Sequence, residues 1–216
     1  MALEKISSVT LRQRVYDQLR ASITAAELLP GQTISLRGLA DEFGVSLLPV
    51  REAVWQLESE KILVVESNKR IQVNQLTRAE FEEVLNLRLL LESEAVDKAC
   101  QRHTKSSISR VKRAYLAMEK QAGINHRNYI KKNDEFHHSI YSCAQSPLLM
   151  DLIQRLLARV NPYIYLYAIE GRDLTSALQC HQDMLSGFAE GDSDKTIAAL
   201  HRDLTDAARV IVKNLQ

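Results

Sequence analysis

From Thr77 to the C-terminus almost every stretch of the sequence carries apolar residues at three-and-four spacing, which commits that part of the chain to amphipathic helices packed on one another. Thr77-Arg78-Ala79-Glu80 is a capping box, and it starts a helix running through about Cys100. Further helices are predicted over 106–122, 127–144, 147–169, 174–189 and 193–215. Gly123 and Gly191 punctuate their ends, and Ser146-Pro147 sets a capping residue before a proline at the first helical position. With only 7 Gly and 4 Pro among 216 residues, long uninterrupted elements are the expectation.

Residues 1–76 follow a different pattern, so a domain 1–76 and a domain 77–216 are expected. Thr10 can cap a helix that runs to about Ala26 and breaks at Leu28-Leu29-Pro30-Gly31, where Pro and Gly stand in the order of a tight turn. Ser35 then caps a short helix over 36–43, with Leu36, Leu39, Ala40 and Phe43 on one side, and Gly44 stops it. Val45-Ser46 opens a third helix, with Ser46 as its cap and Pro49 in its first turn, where a missing N–H costs nothing. Val50, Ala53, Val54 and Leu57 form its apolar stripe. Segments 62–65 and 70–73 read as two short strands about a polar tip at 66–69. The fold class is therefore mainly α: an N-terminal winged helix-turn-helix with a small β-hairpin, followed by an all-α C-terminal part.

Composition narrows the function classes. Hydrophobic residues at 45% and charged residues at 25% lie near the averages of globular proteins, which argues against a disordered, fibrous or membrane chain. Cys100, Cys143 and Cys180 are odd in number, far apart and without CxxC spacing, so neither a disulfide framework nor a zinc ribbon is indicated and a reducing cytosol fits. The start MALEKISSVTLRQ has no apolar stretch for a secretory signal, and apolar runs such as 62–65 are too short to span a bilayer. A cytoplasmic protein without a membrane partner is expected. Residues 1–76 hold nine Lys and Arg against nine Asp and Glu, so no basic excess marks that half for phosphate binding.

Where the charges sit is more informative. A helix-turn-helix with a wing places its second helix in the major groove of DNA. The helix from Ser46 presents Ser46, Leu47, Leu48 and Arg51 outward at its N-terminal end, while Val50, Val54 and Leu57 point home. Arg51 is placed to reach a phosphate or a guanine edge, and Arg37, Lys69 and Arg70 are placed for backbone contacts on either side. On spacing alone, these are equally the solvated residues of a small helical subdomain.

The stretch from Leu19 to Val65, above all Leu39-Ala40-Asp41-Glu42-Phe43-Gly44-Val45-Ser46 and Pro49-Val50-Arg51-Glu52-Ala53, resembles the winged helix of the GntR family of bacterial regulators. The resemblance implies DNA contacts from Arg37, Ser46 and Arg51, with Asn68, Lys69 and Arg70 of the wing reaching the minor groove. Two departures stand out: Leu47-Leu48 where the family usually has Arg-Thr, and Arg70 where it usually has Gly. Loss of that Arg removes a base-reading donor worth about 1–3 kcal/mol of discrimination, which implies either an unusual operator or a readout that leans on apolar contact with thymine methyls. Arg70 adds a cation for the minor groove.

The rest of the chain resembles the FadR-type ligand-binding domain of the same family, at Arg88-Leu89-Leu90-Leu91-Glu92, Asn133-Asp134-Glu135-Phe136-His137 and His181-Gln182-Asp183-Met184-Leu185. That resemblance implies an antiparallel bundle of six or seven helices, and a divalent metal held by one Asp or Asn and three His that in turn helps hold a carboxylate ligand. Asn133 and His137 are four apart on an inward face, whereas Asp134 and His138 line up with Ser142 and Gln145 and read as solvated. His181 shares a stripe with Leu178, Met184 and Leu185. The last ligand stays open: the family's final His falls on Asp203, while periodicity with Ile197, Leu200, Leu204 and Ala208 favours His201. Zinc, nickel or manganese suit such a set, and Asp203 would make it more oxygen-rich. Core histidines, or a metal-free polar pocket, are the competing reading. Arg88, with Asn133, His137 and His181, is the candidate anchor for an anionic effector such as an organic or sugar acid, unless Arg88 is taken by Glu92 one turn on. Of Tyr163, Tyr165 and Tyr167, which follow Pro162, some are expected to be packing residues.

The expected whole is a homodimer that binds a two-fold operator in double-stranded DNA as a repressor, with its affinity set by the effector. The rivals are a metal-dependent hydrolase built on the histidines and a helical protein-binding adaptor. No HExxH, GxSxG, phosphate loop or dinucleotide fingerprint supports the first, and the neutral charge of residues 1–76 is the best support for the second.

Overall fold

A computed structural model describes residues 11–66, 70–169 and 174–215. Contacts divide the chain into two compact units that part between Gln75 and Leu76. The wing-tip residues Asn68 and Lys69, and the expected cap Thr10, lie outside the described residues.

In the first unit the order is α1 (Leu11–Thr24), β1 (Thr33–Ile34), α2 (Leu36–Phe43), α3 (Leu47–Ser59), β2 (Leu63–Val65) and β3 (Ile71–Val73). α1 packs on α3, and Val15, Leu19 and Ile23 of the one and Val50, Ala53, Val54 and Leu57 of the other are all buried. α1 stops two residues short of the expected end because Ala26, buried, takes up a left-handed conformation at φ 54°. Ser35 accepts from the Gly38 N–H at 3.0 Å to start α2, and Gly44 ends it at φ 63°, a conformation cheap only for glycine. Ser46 occupies the N-cap of α3, but its hydroxyl makes no capping bond, so the positional expectation holds and the chemical one does not.

The hairpin β2–β3 forms with Leu63 opposite Val73 and Val65 opposite Ile71. Each strand is shorter than expected, and a third strand, β1, pairs antiparallel with β3 to give the order β1-β3-β2. Two residues carry no periodicity, which is why β1 has no trace in the sequence pattern.

The second unit is built from α4 (Arg78–Gln101), α5 (Lys105–Glu119), α6 (His126–Tyr141), α7 (Pro147–Ile169), α8 (Thr175–Glu190) and α9 (Ser193–Lys213), with a 3-10 turn at Ser142–Ala144. α4 packs on α9, α5 on α6 and α8 on α9 around a core that includes Val96, Met118, Phe136, Ile140, Met184, Phe188 and Leu200. The capping box at Thr77 is present, and a second one at Thr104 starts α5 one residue earlier than expected. α6 gives way after Tyr141 to the 3-10 turn and then to Gln145 at φ 52°, so the helix expected over 127–144 is tightened in its last turn.

Leu76 belongs to this second unit. It is buried with Phe81, Val84, Val160, Tyr163, Ala208 and Ile211, and its N–H donates to the Tyr163 hydroxyl at 2.7 Å. Tyr163 is therefore a packing residue, set edge-on against Phe81 at 5.9 Å.

Trp55, the single tryptophan, lies on α3 and reports on the first unit. In urea denaturation followed by its fluorescence, Leu57→Ala is expected to cost about 2–5 kcal/mol, while Leu48→Ala, on the exposed side of the same helix, changes stability by about 0.5 kcal/mol or less.

Candidate functional site

Two places in the molecule concentrate chemistry. The first is the outward face of α3, whose rotation is set by its buried stripe. Ser46 and Arg51 are exposed, and so are Leu47 at 37%, Leu48 at 62% and Trp55 at 57%. Arg37 on α2 and Arg70 beside β3 are exposed as well. Trp55 has no place in the sequence reading, although its spacing of seven from Leu48 puts the two within about 20° on a helix of 3.6 residues per turn.

The second place is a cavity of about 60 Å³ inside the second unit. A water occupies about 10–15 Å³ on this scale, so the space takes on the order of four or five waters or a small molecule. Arg88 and Glu92 of α4 reach it one turn apart, Asn133, Asp134 and His137 come from α6, Asn161 from α7, His181 from α8, and Asp203 and Asp206 from α9.

At its centre the His137 and His181 Nε2 atoms stand 3.2 Å apart. Asp203 sends Oδ1 to within 3.3 Å of His181 Nε2 and Oδ2 to within 3.5 Å of His137 Nε2. The ring of Phe136 lies edge-on to both imidazoles, at 5.4 Å from His137 and 5.3 Å from His181. His181 Nδ1 is buried without a hydrogen-bond partner, so that ring is oriented by packing and by its Nε2 contacts. Burial alone pushes the Asp203 carboxyl up, but the charge and N–H groups of His181 and His137 outweigh it and hold the group well below the usual carboxylate range.

Behind this cluster runs a buried polar chain. Arg88 donates to Glu92 through Nε at 2.6 Å and Nη2 at 3.4 Å, and both side chains are almost wholly enclosed. Burial works against the guanidinium charge, and Glu92 outweighs it, so the Arg88 pKa is raised. The Tyr141 hydroxyl donates to Glu92 Oε2 at 2.6 Å, and burial together with the Glu92 charge pushes it well above its ordinary pKa, which keeps it a donor. Tyr141 lies 3.1 Å from His137 Nδ1. With the hydroxyl proton committed to Glu92, its oxygen accepts from Nδ1–H; the charged His137 ring then also donates Nε2–H toward Asp203, and the neutral ring presents the Nε2 lone pair there instead.

The structure thus brings together His137, His181 and Asp203, with Asn133 and Arg88 on the same cavity wall. His201 is elsewhere: it is exposed and bonds the Ser93 hydroxyl at 2.8 Å. The inward face of α9 runs through Ala199, Leu200 and Leu204, and Asp203 falls on it while His201 does not. Asp134 is a correction, because it is half-buried and lines the cavity instead of sharing the solvent with exposed His138. Burial raises its carboxyl, against the lowering effects of His137 and Asn161. Tyr141 and Asn161 were not legible beforehand, although Tyr141 extends the Asn133 and His137 face by one more turn.

Comparison with known proteins identifies both halves. The model described as bacterial regulatory proteins, gntR family, matches residues 11–73, and that of the FCD domain matches residues 83–206. The chain is 26% identical over 193 residues to the HTH-type transcriptional regulator McbR of Escherichia coli, covering 88% of this chain and 87% of the relative. It is 24% identical over 207 residues to the gluconate operon transcriptional repressor of Bacillus subtilis, covering 93% and 85%. The solved structure of E. coli McbR/YncC superposes with a TM-score of 0.88 at 22% identity, covering 96% of this chain and 99% of that one.

Truncating one partner of the Arg88 and Glu92 pair strands a buried charge. Arg88→Ala is expected to cost about 3–5 kcal/mol in chemical denaturation followed by far-UV circular dichroism, and the double variant Arg88→Met/Glu92→Leu is expected to recover more than half of that.

Proposed function

The chain belongs to the gntR family of bacterial regulatory proteins, as a transcriptional regulator with an FCD domain, and on that premise we propose that it is a homodimeric repressor released from its operator by a small acid bound in the second unit. The observation that carries the DNA reading is the rotation of α3, which exposes Arg51 and buries Val50 and Val54. Arg51 reads a guanine edge, and Ser46, Arg37 and Arg70 hold the backbone on either side. Repression follows from occupying a promoter, and the similarity to a gluconate operon repressor supports that sign.

The acid enters a cavity that carries more negative than positive groups. Glu92, Asp134, Asp203 and Asp206 line it, Arg88 is the guanidinium among them, and Glu92 already neutralises it. A carboxylate therefore needs a further cation there. His137, His181 and Asp203, with Asn133 beside them, are the residues that would hold a divalent metal ion. Their fit is supported by spacing: ligands at about 2.0–2.1 Å in a tetrahedron lie roughly 3.3 Å from one another, and here the two Nε2 atoms are 3.2 Å apart, with Asp203 Oδ1 3.3 Å from His181 Nε2 and its Oδ2 3.5 Å from His137 Nε2. An ion bound there would supply the positive charge that an effector carboxylate needs. Tyr141 fixes the His137 tautomer that leaves Nε2 free to coordinate, in the way hydrogen bonds behind a metal ligand commonly do.

Sugar acids are the class to screen first, with gluconate as the probe. It is expected to raise the melting temperature of the zinc-loaded protein and to leave the chelator-treated protein unchanged, and an equal shift in both would remove the metal from the account. Tyr141→Phe is expected to weaken zinc affinity about 10- to 100-fold in competition with a fluorescent chelator. In a gel-shift assay with the region upstream of its own gene, Arg51→Ala is expected to lose at least about tenfold in affinity while keeping its circular dichroism spectrum.

A further inference from the structure

The outward face of α3 is unlike a charged DNA-reading surface. Taking 100° per residue, the buried stripe of Val50, Ala53, Val54 and Leu57 centres on one side of the helix, and Leu48 and Trp55 lie almost diametrically opposite. They are the two most exposed large apolar side chains of α3, at 62% and 57%, with Leu47 at 37% flanking them and Arg51 between them along the axis. Isolated exposed apolar residues need no explanation, but a strip of them at the centre of the one helix face that projects outward does. A buried or backward position for either residue is ruled out by the complete burial of the opposite stripe.

We propose that this strip reads thymine: Leu48 and Trp55 pack on the 5-methyl groups of two T·A pairs, with Arg51 on a guanine edge between them. The inference rests on the DNA reading above and adds the base class that the helix selects. Among the four bases only thymine presents a methyl group in the major groove, and apolar side chains are its natural partners there. Residues 48 and 55 are about 10.5 Å apart along the helix, which is about three base-pair steps of 3.4 Å. The neutral charge of residues 1–76 points the same way. With no basic excess for phosphates, burial of methyl groups carries a larger share of the affinity. The groove, and not another protein surface, is favoured as the occupant because Arg51 borders the strip and lies between its two members along the axis, in the N-terminal half of the helix, where base contacts are made.

The test selects duplexes from a random pool with the full-length protein, then replaces each thymine of the selected site by deoxyuridine, which removes the methyl and nothing else. Wild-type protein is expected to select sites in which a guanine is flanked by T·A pairs about three steps apart. Each critical deoxyuridine is expected to weaken binding about fourfold. Leu48→Ala and Trp55→Ala are each expected to bind more weakly and to become insensitive to deoxyuridine at one of the two positions. Because the substitution is made in the DNA, the result does not depend on whether a variant folds. Equal affinity for thymine and deoxyuridine duplexes overturns the inference and leaves the regulator reading standing. Failure to select any duplex over the random pool overturns both. Variants that bind the duplex as wild type does but change their oligomeric state would assign the strip to a protein contact and overturn it as well.

Discussion

Four buried side chains, Val50, Ala53, Val54 and Leu57, fix how α3 is turned about its own axis, and everything inferred about the first unit depends on that angle. Burying a valine or leucine contributes about 1.5–3 kcal/mol, so a rotation that exposed this stripe to bury Leu48 or Trp55 instead would lose more than it gained. The helix therefore has one stable setting against α1, and its outward residues are determined by the inward ones. Gly44 at φ 63° lets α2 end at Phe43, three residues before Ser46, which brings α3 into place without strain. Exposure of Ser46 and Arg51 follows from this packing and requires no separate device.

The second unit applies the opposite logic, keeping charge inside. An enclosed Arg and Glu pair is costly to desolvate, and replacing such a pair by apolar residues is often neutral or better for stability. Its retention here makes sense through what it touches. Glu92 accepts a hydrogen bond from Tyr141, Tyr141 accepts one from His137 Nδ1, and His137 turns its remaining nitrogen toward His181 and Asp203. The pair thus works at a distance on the orientation of three groups that converge on one point. The cost of burial is spent on geometry at the cavity, where a small acid and a cation would meet.

Much of this was legible in the sequence. The capping box at Thr77, the Gly44 stop and the three-and-four spacing of apolar residues each correspond to a helix end or face in the structure. The pentapeptide around Pro49 and the motif around His137 pointed to the family that the matches at 11–73 and 83–206 identify. What was missed lies where local pattern carries no signal. β1 is too short to have a period, and Asp134 occupies a helix position at the edge of the buried face, where neighbouring helices decide its exposure. His201 and Asp203 both neighbour the apolar stripe of α9, and only the packing of α4 and α8 against that helix separates the exposed one from the half-buried one. Tyr141 and Trp55 are ordinary residues in sequence and acquire meaning from their neighbours in space.

The reading as a whole stands on α3 meeting a duplex in a sequence-dependent way. Competition between a selected duplex and random DNA for the full-length protein, at physiological salt, measures that preference without reference to the effector. A preference of about a thousandfold or more for the selected duplex is expected of specific binding. Equal retention of the two would mean that the exposed face of α3 does not read DNA, and the regulatory account of both units would fail with it.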